Sequence, residues 1–115
     1  MNVWILGTEY LIIKKSYAEE PKFEEYDGYC DSHIKLICYC DQTTRPEYTK
    51  DDERAALKIE KETLRHEILH AYLAECGLDS NSSQAEHWAT NEEMIDWIAL
   101  QFPKIMETFK EADCL

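Results

Sequence analysis

Thr63-Leu64-Arg65-His66-Glu67-Ile68-Leu69-His70-Ala71-Tyr72 is the stretch on which both fold and chemistry turn. It sets His-Glu-x-x-His inside a run of helix-forming residues. On a helix, residues four apart share a face, with Cβ atoms about 5–6 Å apart. Two imidazoles at that spacing both reach one zinc ion at about 2.0–2.1 Å without bending the backbone. Glu67 then lies beside the ion rather than on it, placed to act as general base toward water activated there. The blander alternative is an amphipathic helix with surface histidines, Glu62 pairing with His66 across one turn. That alternative needs neither helical context nor a ligand downstream, and both are present.

The helix is expected to run from about residue 50 to 76. Thr49 can cap it, Asp51 and Asp52 suit its positive end, and Gly77 suits its C′ position. Leu57, Leu64, Ile68, Ala71 and Tyr72 form an apolar stripe, widened by Leu69, Leu73 and Cys76. Histidines at the edge of such a stripe are half-buried, and without a ligand they need hydrogen-bond partners.

Upstream, residues 3–6 and 10–14 read as a strand pair around Gly7-Thr8. Residues 16–26 read as loop, and Asp27-Gly28 as a turn. Residues 33–40 alternate, with Ile34, Leu36, Cys38 and Cys40 on the face expected to pack on the motif helix. An edge strand in that position could take an extended peptide by strand addition, or be purely structural. Residues 41–49 read as a linker into the helix.

Downstream, residues 79–84 form a polar connector. Thr90-Asn91-Glu92-Glu93 fits a capping box, with Thr90 as N-cap and Glu93 reaching back to it. A second helix follows, expected to break at Pro103 and resume over residues 104–112. Trp88 and Trp97 are expected between the two helices.

A catalytic zinc takes three protein ligands and keeps one position open. Downstream of His70 the choices are Glu75, Glu86, His87, Glu92, Glu93 and Asp96. Glu75, five residues on along the same helix, points away from the histidines. Glu92 and Asp96 stack on one face of the second helix, so Glu92 suits the ion while Asp96 suits the outward N–H of a ligating histidine. His87 is open to three readings: third ligand, stabiliser of a developing oxyanion, or ordinary loop histidine.

His-Glu-x-x-His followed by a helix beginning Asn-Glu-x-x-x-Asp resembles the gluzincins, thermolysin-like zinc peptidases whose third ligand is glutamate. The short length and strand-rich first half look like their minimal bacterial and phage members, near the ImmA/IrrE group. The match covers about residues 63–99. The resemblance implies zinc at His66, His70 and Glu92, Glu67 as base, Asp96 behind a histidine, and a peptide bond as substrate. It implies an α+β fold: a small antiparallel sheet on a long motif helix, closed by a second, ligand-bearing helix. A zinc-binding regulatory module that binds without cleaving is the alternative function.

Length sets one domain, since 115 residues bury a single modest core. Hydrophobic residues at 44% and aromatics at 11% fit a globular chain. No apolar run nears the roughly 20 residues of a membrane span. Met-Asn-Val-Trp-Ile-Leu lacks a basic leader, which points to a cytoplasmic protein. Net charge is −12, from 24 acidic against 12 basic residues. Such a surface argues against nucleic acid and anionic membranes; it suits a basic peptide or simply keeps the chain soluble. Cys30, Cys38, Cys40, Cys76 and Cys114 lack a Cys-x-x-Cys pair and read as reduced thiols away from the zinc.

Overall fold

The computed structural model describes residues 1–81, 88–113 and 115, with side chains for all of these except 81 and 108–111. Strands β1 (Asn2–Ile5) and β2 (Thr8–Ser16) form a hairpin closed by Ile5 opposite Thr8. Its two-residue turn is Leu6-Gly7, one residue earlier than expected, with φ +48° and +85°. Both values lie on the side that suits the twist of a tight hairpin. After two 3-10 turns come β3 (Gly28–Asp31) and β4 (Leu36–Asp41).

The four strands make one sheet in the order β1-β2-β4-β3. The chain is α+β, but the sheet is mixed rather than antiparallel. β4 pairs antiparallel with β3 and parallel with β2, Leu11 lying opposite Leu36. The cause is β3, a strand that begins at Gly28 of the expected turn and runs through residues for which no element was expected. It takes the hairpin position beside β4 and so reverses β4 relative to β2. Asp31 Oδ1 accepts from the backbone N–H groups of His33 and Ile34, which tightens the connection. Residues 32–35 are therefore turn, and Lys35 at φ +59° ends it. β4 is thus an inner strand, with no free edge for a peptide; the free edge on this side belongs to β3.

Helix α1 (Glu53–Glu75) lies across the sheet, entered through the 3-10 turn Lys50–Asp52. Asp52 Oδ2 accepts from the backbone N–H and hydroxyl of Thr49, and Gly77 follows the helix with φ +83°. Ile5, Tyr10, Ile12, Ile37 and Ala71 form the core between sheet and helix, with Leu64 and Ile68 packed on it. The β4 face expected on the helix is the opposite one. Cys38 and Cys40 lie under Phe23, flanked by Tyr17 and Tyr29, while Ile34 is exposed. Both faces of β4 are covered, so alternation alone could not say which cover was the helix.

Leu57 and Tyr72, assigned to the buried stripe, are exposed; Ala56, Glu60, Glu67 and Ala71 are the residues buried along α1. Glu60 accepts from Lys14 Nζ at 2.8 Å and from the Gln42 backbone N–H at 2.9 Å. Glu75 accepts from Thr8 Oγ1, Tyr10 Oη and Lys35 Nζ. These bonds fasten the two ends of α1 to the sheet.

The short helix α2 (Leu78–Asn81) follows, and α3 (Glu92–Glu111) then lies against α1. Its cap is Asn91, one residue later than expected: Asn91 Oδ1 accepts from Met94 N–H at 2.9 Å. Helix α3 also runs unbroken through Pro103. A proline leaves the carbonyl four residues back without its helical donor. That carbonyl is Ala99 O, and Arg65 Nε of α1 donates to it at 2.6 Å. The orphaned acceptor is satisfied from the neighbouring helix, which removes one cost of continuing. Ile95 and Ala99 fill the interface, whereas Trp88 and Trp97 are exposed, contrary to expectation. Among the described residues no helix is long and apolar enough to cross a membrane.

β3 approaches α1 closely enough to explain Gly28. A methyl group there would stand 2.7 Å from Thr63 Cγ2 and 2.9 Å from the Cys38 carbonyl oxygen. Gly28→Ala should therefore overpack this contact and lose about 1–3 kcal/mol of stability in urea unfolding. A change within about 0.5 kcal/mol, the range of ordinary surface substitutions, would contradict this packing.

Candidate metal centre

Two helices bring the site together. α1 supplies His66, Glu67 and His70, whose ligand atoms lie within 4.8 Å of one another. The first turn of α3, fixed by the Asn91 cap, supplies Glu92 and Asp96 one turn apart. Asp96 Oδ1 lies 2.6 Å from His66 Nδ1. Glu92 Oε2 lies 3.0 Å from His66 Nε2, and Glu92 Oε1 lies 3.1 Å from His70 Nε2. The two Nε2 atoms are 3.0 Å apart.

The donor set fits a metal. With its Nδ1–H donated to Asp96, a neutral His66 turns the Nε2 lone pair toward Glu92 and His70. Three acceptor positions converging like this suit a cation at their centre. Donors on a tetrahedral zinc with bonds of about 2.0–2.1 Å stand about 3.3 Å apart. The two Nε2 atoms, 3.0 Å apart, have to separate by only about 0.3 Å to meet that geometry, and Glu92 turns one oxygen toward each imidazole. Burial holds the His70 imidazole below its ordinary pKa, with Glu92 working against that shift. Burial thereby favours the neutral, ligating form.

Glu67 sits apart from this triangle. Its residue is 7% exposed, and among the described residues it makes no hydrogen bond or ion pair. Burial pushes its carboxyl up to about 7, with His66 drawing it down and Glu92 and Asp96 adding to the rise. Such a group lies near the balance between taking and giving a proton at neutral pH.

Glu93 is exposed on the first turn of α3, about 100° round from Glu92. Glu75 belongs to the sheet contact described above and takes no part here. Glu86 and His87 lie outside the described residues. The four described cysteines carry no disulfide, and Cys114 lies outside. Cys30 lines a cavity beside His66, Glu67 and His70. Burial, followed by the charge of Glu67, pushes its thiol up to about 12, which disfavours the thiolate that a metal requires. Sequence reasoning missed Tyr26, Gly28 and Cys30 as walls of the cleft, because β3 itself was missed. The demand for glycine at position 28 comes from contacts with Thr63 and Cys38 that the sequence does not display.

No protein-family model, no curated protein and no solved structure matches this chain. The geometry therefore carries the functional reading alone.

Stability of the metal-free protein should report the Glu67 carboxyl. Its pKa is raised from 4.5 to about 7, so the folded chain keeps a proton that the unfolded chain releases. Stability then falls as pH rises through that window, by on the order of 3 kcal/mol. Glu67→Gln lacks this loss. Thermal unfolding of chelated protein at pH 4.5 to 7 checks it; identical pH slopes for parent and variant would refute the assignment.

Proposed function

We propose that this chain is a zinc-dependent peptidase of the gluzincin kind, hydrolysing a peptide bond in a protein or peptide. The observation that carries the reading is the meeting of His66, His70 and Glu92 at 3.0–3.1 Å beside a buried Glu67 that has no hydrogen bond or ion pair among the described residues. A metal-binding helix alone would require these contacts but not a buried acid next to them.

His66, His70 and Glu92 would hold the zinc, which would supply Lewis-acid activation of water and polarisation of the scissile carbonyl when bound. Asp96 fixes the His66 ring so that Nε2 faces the centre. Glu67 takes a proton from the attacking water and delivers it to the leaving amine. Its displaced pKa suits both halves of that task. The substrate's backbone pairs with the outer edge of β3, whose residues Gly28 to Cys30 line the cleft.

The protein should bind one zinc per chain and release it to chelators and at acid pH, as the imidazoles protonate. Glu92→Gln should weaken zinc by at least the roughly 10–100-fold seen for changes behind the ligands, and Glu93→Gln should leave it near the parent value. Glu67→Gln should keep full zinc and lose hydrolysis. Competitive chelation and cleavage of an unfolded protein substrate check these outcomes. Zinc lost with Glu67→Gln, or the reverse ranking of the two glutamates, would overturn the assignment of roles.

A further inference from the structure

A cavity of about 460 Å³ opens beside His66 and Glu67, between the start of β3 and the middle of α1. Beyond the site residues it is walled by Glu25, Asp27 and Glu62, with Tyr26 and Ile59 among them; among the described residues no lysine or arginine lines it. The side chain of Glu25 has no hydrogen bond or ion pair among the described residues. Among the described residues the Glu62 side chain meets only Lys58, at 3.7 Å. Asp27 gives one oxygen, Oδ1, to Arg45 at 2.6 Å and to Gln42 at 2.8 Å. Its side chain stays 47% exposed.

Acidic groups on a surface are ordinary in a chain of net charge −12. Two further features set this cavity apart. Glu67, more than nine-tenths buried and without a hydrogen bond among the described residues, lines it. In addition, Tyr26 and Ile59, which line the cavity with the carboxylates, leave apolar surface exposed. A wall that is apolar at its middle and anionic at its rim matches a side chain with a methylene stem and a cationic end. The Tyr26 ring adds a face on which such a cation is stabilised.

We propose that this cavity is the subsite for a lysine or arginine side chain of the peptide substrate, held by Glu25, Glu62 and the outer oxygen of Asp27. The word substrate rests on the peptidase reading; recognition of the side chain stands on the cavity itself. A neutral or acidic residue gains nothing there, and an acidic one meets three like charges.

The test uses the zinc-loaded full chain and fluorescein-labelled peptides identical except at one central position. That position carries lysine, arginine, norleucine or glutamate, and binding is read by fluorescence anisotropy. The lysine and arginine peptides should bind at least about tenfold more tightly than the other two, as a charge-assisted contact would give. The double variant Glu25→Gln/Glu62→Gln should bring the lysine peptide to the affinity of the norleucine peptide. Zinc content and thermal unfolding confirm that this variant is folded. Equal affinities across the four peptides, no measurable binding of any, or a lysine preference that the double variant retains would overturn the subsite. Cleavage is scored separately by mass spectrometry. Preference without cleavage supports the subsite and removes the peptidase reading; cleavage without preference does the reverse.

Discussion

Three carboxylates on one side of a single helix set the terms for the rest of the molecule. Glu60, Glu67 and Glu75 follow one another at intervals of seven and eight residues, which keeps them on the sheet-facing side of α1. An ion buried without a partner is costly, and the usual relief is a partner or a bound proton. Lys14 reaches Glu60 from β2, and Lys35 reaches Glu75 from the turn before β4. Those contacts fix the helix across the sheet at both ends. Glu67, between them, receives no cation and no donor among the described residues. The same packing that immobilises α1 therefore leaves one acid stranded beside the histidine pair, with its carboxyl held at about 7.

The position of α3 follows from two adjacent residues of α1. His66 meets Asp96, and Arg65 meets the Ala99 carbonyl. The second contact exists because Pro103 has removed that carbonyl's helical donor. Proline thus marks a point of attachment between the helices rather than an end of one of them. With Asn91 capping the first turn, Glu92 is left facing both imidazoles. Helix packing and ligand geometry are then one arrangement: a rotation of α3 that moved Glu92 off the histidines would also uncouple Arg65.

The motif helix, the first hairpin and the facing of Glu92 were legible in the sequence because each rests on local signals. These are a four-residue spacing, a tight turn with glycine, and a helical face read back from Ile95. The sheet order was not legible. β3 is four residues long, begins at a glycine that resembled a turn, and owes its place to a contact with Thr63 far along the chain. Missing it made β4 look like an antiparallel edge and put its cysteines on the wrong face. The apolar stripe of α1 was misjudged for a related reason. Hydrophobicity nominated Leu57 and Tyr72, but the sheet buries Glu60 and Glu67, whose partners or chemistry no periodicity reveals. The tryptophans failed likewise: size suggested a core that Ile95, Ala99 and Ala89 already fill.

The central claim is a zinc centre built from two imidazoles of α1 and one carboxylate of α3. X-ray absorption at the zinc edge of the loaded protein tests it most directly. The account predicts scattering from two imidazoles and oxygen neighbours at about 2.0–2.2 Å, with one oxygen contribution altered in Glu92→Gln. Sulfur at about 2.3 Å, or a spectrum with fewer than two imidazoles, would contradict it.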